Sequence, residues 1–163
     1  MKNNPITVFT DGSCNPTLGI GGWASILFVE GKKIILSGAE QQTTHQRMEL
    51  QAVLKAFEYL AHANVKMDAV ELYTDSQYVV GIAGRRMKLK KAEFRTTKNL
   101  FIRNVDLVKM LVEFMEGMNI RFIKVKAHQK KAAQNNNREV DKLARKLVRQ
   151  RSLVISASSE TLQ

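Results

Sequence analysis

Apolar residues in the first quarter of the chain alternate over short stretches, whereas most later ones recur every three or four positions. The alternation over 6–11 predicts a first strand, with Gly12 closing it in a turn and Asp11 at its end. Runs at 22–29 and 32–39 are joined by Glu30-Gly31, a two-residue hairpin signal, so the chain opens as an antiparallel meander. Over 47–61, Met48, Ala52, Val53, Ala56, Phe57 and Leu60 fall on one helical face. A fourth strand follows at 69–74, ended by Asp75-Ser76, either of which can cap the short helix that runs to about Ile82. Val105, Val108, Leu111, Val112 and Met115 predict another helix, stopped by Gly117, and 120–125 alternates as a fifth strand. Val140, Leu143, Ala144, Leu147 and Val148 predict a last helix starting near Asn136, with Asn136 and Glu139 as a capping box. Strands first, then alternating helices and strands, give an α/β fold: a mixed sheet with helices on its faces. The expected organisation is one domain over 1–150 and a flexible, mostly small and polar tail over 151–163.

Composition narrows the class. The 163 residues leave room for one domain, and 44% apolar with 25% charged residues exclude a disordered chain. Lys+Arg 26 against Asp+Glu 15 give a net charge of +11, which favours a polyanionic partner, nucleic acid before membrane. Cys14 is the single cysteine, so neither an intramolecular disulfide nor a cysteine-built metal site is available, and a reducing, cytoplasmic setting is expected. The longest apolar run, 24–29, is far below the roughly 20 residues of a membrane span, and the N-terminus has no signal-like apolar core.

Four acids stand where elements begin or end: Asp11, Glu49 in the first turns of the first long helix, Asp75, and Asp141 early in the last helix. Each has a plain structural use when taken singly. Asp75 can cap a helix, Asp141 can complement a helix dipole, and Glu49 can be a solvated charge. If the first and fourth strands are neighbours, the two aspartates meet at one sheet edge. Clustered carboxylates repel one another until they take up protons or bind a divalent cation, and all-oxygen ligands favour a hard ion such as Mg²⁺.

The surroundings of these acids carry a resemblance: Phe9-Thr10-Asp11-Gly12-Ser13, Arg47-Met48-Glu49-Leu50, Thr74-Asp75-Ser76-Gln77-Tyr78-Val79, and Val125-Lys126-Ala127-His128 followed by Asn137 to Ala144. In this order, from about Ile6 to Val148, the chain strongly resembles the type 1 (bacterial) ribonucleases H. The resemblance implies a five-stranded mixed sheet flanked by helices. It also implies a metal-dependent endonuclease that hydrolyses the RNA strand of RNA–DNA hybrids with two Mg²⁺ ions (Mn²⁺ as substitute), leaving 3′-hydroxyl and 5′-phosphate ends. Asp11, Glu49, Asp75 and Asp141 match the family's metal-holding acids, and His128 matches its mobile catalytic histidine. Such a pair of ions activates a water and stabilises the leaving oxygen in an in-line displacement.

Residues 85–103 contain Arg85, Arg86, Lys88, Lys90, Lys91, Arg95, Lys98 and Arg103 against the single Glu93, placing +7 of the +11 there. The position matches the family's basic handle, which grips the hybrid, although the handle lacks the tryptophans often found in it; the only tryptophan is Trp23. Cys14, Gln46, Ser76 and Gln77 correspond to groove-contacting positions beside the acids, and Thr44 and Asn104 to a DNA phosphate pocket. His45-Gln46 stands where an Asn-Asn pair is common, Gln42 where an arginine is often found, and three extra residues separate His128 from Asp141. The expected partner is the hybrid, bound by a monomer. Two rivals are a catalytically silent hybrid-binding module, expected to have lost an acid, and an integrase-like or Holliday-junction nuclease, expected to lack these motifs and the handle.

Overall fold

The computed structural model describes residues 5–125 and 131–161. The elements are β1 (Ile6–Asn15), β2 (Ile20–Val29), β3 (Lys32–Glu40), α1 (His45–His62), β4 (Val70–Thr74), α2 (Gln77–Gly84), α3 (Arg86–Lys91), α4 (Val105–Gly117), β5 (Ile120–Lys124) and α5 (Lys131–Glu160). One five-stranded sheet has the order β3-β2-β1-β4-β5. The meander β1-β2-β3 is antiparallel, and β4 and β5 add in parallel. Glu30 and Gly31 both have positive φ, 49° and 76°, as a tight two-residue hairpin turn requires.

Side-chain alternation splits the core between the two sheet faces. Val8, Leu27 and Leu72 point to one face, against Leu50, Val53, Leu54 and Phe57 of α1 and Leu107, Val108 and Leu111 of α4. Phe9, Ala24 and Ile26 point to the other, against Val140 and Ala144 of α5. The acids sit where the β1–β4 pairing runs out, with α1 on one face and α5 on the other.

Three sequence expectations need correction. β1 does not end at Asp11: pairing with β4 stops at Thr10↔Thr74, but pairing with β2 continues through Gly12↔Trp23 to Asn15↔Ile20. Gly12 is therefore not a turn residue. An added Cβ there would lie 2.3 Å from the Glu49 backbone nitrogen and 2.4 Å from the Met48 carbonyl carbon, so Gly12 is what lets α1 approach the sheet. The last helix is already formed at Lys131, so Asn136 and Glu139 lie inside it and make no capping box; Glu139 instead pairs with Lys33 at 2.9 Å. Residues 151–160 are not a tail but the continuation of α5. Hydroxyls of Ser152, Ser156 and Ser158 donate to carbonyls four residues earlier at 2.7–3.0 Å, so polarity that reads as a loop is satisfied within the helix.

Candidate active site

Alternation along β1 turns Asp11 toward α5 and Gly12 toward α1. Asp11 is buried, 7% exposed, with the Gly12 backbone N–H donating to its Oδ1 at 2.8 Å. Burial first, then the charges of Asp75 and Asp141, push its carboxyl up to about 8, and a hydrogen bond with the Asp141 side chain contributes in the same direction. Asp75, at the open end of β4, is also raised, by partial burial first and then by Glu49 and Asp141. Its use as a helix cap falls away, because Ser76 caps α2 by accepting from the Val79 N–H. Asp141 likewise lies well past the first turn of α5, and its Oδ1 accepts from Arg145 Nε at 2.9 Å.

Glu49 is buried at 9% exposure, and both of its carboxylate oxygens are engaged. Ser76 Oγ donates to Oε2 at 2.6 Å, and His45 Nε2 lies 2.9 Å from Oε1. The hydrogen bond to Glu49 is the main reason the His45 imidazole is held above its ordinary pKa. Ser76 thus ties β4, α2 and α1 together at the acids. Among the described residues no three His, Cys, Asp or Glu side chains are gathered closely enough to hold a metal ion by themselves. The acids form an open, mutually repelling group, and its all-oxygen donor set fits Mg²⁺, which is commonly held by one or two carboxylates plus substrate phosphate and water. A carboxyl that keeps its proton to about 8 is one that a cation would deprotonate. His128 lies outside the described residues.

The residues expected to touch substrate surround this group. Thr44 caps α1, accepting from the Arg47 N–H at 3.2 Å. The Arg47 guanidinium grips Asp106 of α4 at 3.0 and 2.8 Å and reaches Asn104 Oδ1 at 3.5 Å, so Thr44 and Asn104 are brought to one arginine. Asn104, in the left-handed region at φ 55°, donates to the Tyr78 hydroxyl at 2.9 Å. The Cys14 thiol faces the Thr43 carbonyl at 3.7 Å and is pushed up by burial, so it is no ready nucleophile. Gln77 is exposed and accepts from Lys124 Nζ at 2.7 Å. A groove of about 290 Å³ is lined by Gln46 of α1, Tyr78 of α2, and Arg85, Thr96 and Arg103 of the handle.

The handle is α3 followed by turns back to α4. Arg85, Arg86, Lys88 and Lys91 are exposed, whereas Lys90 is paired with Glu116. Phenylalanine and cations supply the packing in the absence of tryptophan. The Arg95 guanidinium lies 4.1 Å from the Phe101 ring centre, and Lys109 sits over both Phe94 (5.6 Å) and Phe101 (5.5 Å).

The family model for RNase H matches residues 3–149, nearly the whole chain. The chain belongs to the ribonuclease H family. Ribonuclease H of Caldicellulosiruptor saccharolyticus is 33% identical over 147 residues, covering 89% of this chain and 97% of that one. Ribonuclease H of Bradyrhizobium diazoefficiens is 38% identical over 141 residues, covering 86% and 87%. The protein is thus a ribonuclease H of the bacterial type, an endoribonuclease. Two solved structures share the fold. One is LC9-RNase H1, a type 1 RNase H with the type 2 active-site motif (TM-score 0.72, 23% identity, 91% and 74% covered). The other is the foamy viral protease-reverse transcriptase in complex with dsDNA (TM-score 0.71, 20% identity, 88% and 93% covered).

Sequence reading of this ribonuclease H missed the contacts of His45 and Arg47. The four-residue spacing of His45 and Glu49 on one helix face was a usable signal for the first. The Arg47–Asp106 pair joins residues 59 apart and left no local pattern.

Proposed function

We propose that this ribonuclease H hydrolyses the RNA strand of RNA–DNA hybrids by two-metal-ion catalysis with Mg²⁺, or Mn²⁺ in its place, leaving 3′-hydroxyl and 5′-phosphate ends. The observation that carries the proposal is the gathering of Asp11, Asp75, Asp141 and Glu49 where the β1–β4 pairing ends: burial first, then the charges of Asp75 and Asp141, hold the Asp11 carboxyl up to about 8, and Glu49 and Asp141 act on Asp75. Asp11, Glu49, Asp75 and Asp141 would hold the ions, which when bound supply the charge that activates water and stabilises the leaving oxygen.

The chain's own residues prepare this chemistry. Ser76 and His45 fix the direction of the Glu49 carboxylate. Asp11 releases its proton on loading, and the Gly12 N–H keeps its Oδ1 oriented. A water oxygen attacks the phosphorus and loses its proton to solvent. The 3′-oxygen departs and takes up a proton, which the His128 imidazole would supply, and the phosphate stays on the 5′ end. Cys14, Gln46, Ser76 and Gln77 would read the groove, where 2′-hydroxyls distinguish RNA from DNA. Thr44 and Asn104 would hold a DNA phosphate, and Arg85, Arg86, Lys88, Lys90 and Lys91 the backbone beyond. The same reading has the protein act as a monomer in the cytoplasm.

The test is a hybrid labelled in turn on each strand, incubated with Mg²⁺ and with EDTA. Cleavage of the RNA strand alone, only with Mg²⁺, and with products that are substrates for ligation at a 5′-phosphate, is expected. Cleavage of the DNA strand, or products ending in a 2′,3′-cyclic phosphate, would refute the mechanism.

A further inference from the structure

At 3.6 residues per turn, Lys131, Arg138, Lys142, Arg145, Lys146 and Arg149 fall within an arc of ~100° on α5, opposite its buried positions Val140, Ala144 and Val148. All six are exposed, and the stripe runs ~27 Å along the helix. The acids bordering it are already engaged: Glu139 pairs with Lys33 at 2.9 Å and Asp141 with Arg145 at 2.9 Å. Among the described residues no carboxylate lies within ion-pair distance of Lys131, Arg138, Lys142, Lys146 or Arg149. Five of the six stripe residues, all but Arg145, are therefore free positive charges on a rigid element. The acid cluster lies beside its middle stretch, because Asp141 on its margin, ten residues on from Lys131, acts electrostatically on both Asp11 and Asp75.

The fold sets this row against the handle. The handle belongs to the α1/α4 layer, where Leu89 of α3 is buried, and α5 covers the opposite face of the sheet. We propose that the α5 stripe is a second track for the nucleic-acid backbone, holding the duplex on the side of the acids away from the handle. This rests on the reading above that a hybrid sits at the acids. Charge complementarity selects the occupant: at 3.4 Å per base pair, ~27 Å faces the phosphates of ~8 base pairs. Apolar side chains are absent from the stripe, and large exposed ones on α5 are confined to Leu153 and Val154 beyond its end, so an acyl surface has little to hold. Phosphate contacts carry no sequence or strand information, so this track adds affinity for any duplex, while the groove residues choose the hybrid.

The experiment is fluorescence anisotropy on a labelled ~20-bp hybrid and a DNA duplex of the same sequence, in EDTA, between about 50 and 200 mM salt. The protein is compared with the triple variant Lys142→Gln, Lys146→Gln, Arg149→Gln, and far-UV circular dichroism confirms that the variant is folded. If each cation neutralises one phosphate, the log–log salt slope falls by ~2–3 for both duplexes. A slope within ~0.5 of the parent overturns the proposal. So does a loss confined to the hybrid, or binding to anionic vesicles that the variant loses while its duplex slope is kept. Arg85→Ala with Arg86→Ala and Lys88→Ala is the control: if it flattens the slope and the α5 variant does not, the second track alone falls. If neither flattens it, the duplex is not seated as proposed and the underlying reading falls with it.

Discussion

Replacing Asp11 by asparagine removes a carboxyl that the fold holds at about 8 against an ordinary value of 3.8. In the unfolded chain this group gives up its proton near pH 4; in the folded chain it keeps it about four decades longer. Between those values the native state binds the extra proton, so stability is fully present below about pH 4 and is lost as pH rises toward 8. Four decades at ~1.4 kcal/mol each set a ceiling of ~6 kcal/mol. Side-chain relaxation and water entry reduce it, so ~1–3 kcal/mol is expected in practice. Asparagine keeps the shape, has no charge to desolvate and still offers an oxygen to the Gly12 N–H. Urea unfolding in EDTA at pH 5 and pH 8 measures the effect. The parent should lose stability across that interval, and Asp11→Asn should lose less and be the more stable of the two at pH 8. Asp75, raised in the same direction, leaves a residual slope. Parallel pH dependences, or a variant less stable than the parent at pH 8, would refute the crowding argument.

Gly12→Ala places a methyl group 2.3 Å from the Glu49 nitrogen, against backbone that has nowhere to yield, so it should cost ~2–3 kcal/mol in urea unfolding and displace Glu49 enough to lower kcat by at least tenfold. Replacing Arg85, Arg86, Lys88, Lys90 and Lys91 by alanine should raise KM more than it lowers kcat and flatten the salt dependence of KM; a collapsed kcat at saturating hybrid would mean that the handle positions the scissile strand. His128→Ala should slow turnover by ~10²-fold and leave measurable cleavage, read from initial rates at saturating Mg²⁺; complete loss would contradict an assisting role.

Local periodicity made most of this fold legible. Alternation, short apolar runs and turn signals located the five strands, and the spacing of Met48, Val53, Phe57 and Leu60 located α1 to within two residues at its start and one at its end. What it could not show was set by tertiary contact. Gly12 reads as a stop in isolation, but β2 pairs past it and α1 presses on it. The serines of 152–159 read as loop because their hydroxyls compete for backbone, yet in α5 those hydroxyls return to the helix's own carbonyls. At the site, motif order pointed to the acids, while the Ser76–Glu49 hydrogen bond joins side chains 27 residues apart and left no local pattern; the His45–Glu49 contact, four residues apart on α1, is the local exception. Arg47 and Asp106, bridging α1 and α4 beside Thr44 and Asn104, were invisible for the same reason.

The account stands most directly on one paired measurement: cleavage of a labelled RNA–DNA hybrid across a Mg²⁺ titration, and binding of the same hybrid in EDTA, for the parent, Asp11→Asn and Asp75→Asn. Removing one of these carboxylates takes away charge that holds the ions and leaves the backbone-gripping surfaces untouched. Both variants should lose cleavage by at least ~10³-fold while binding the hybrid within a few-fold of the parent. Near-normal cleavage by either variant at saturating Mg²⁺ would contradict the assignment of these acids as the metal clamp.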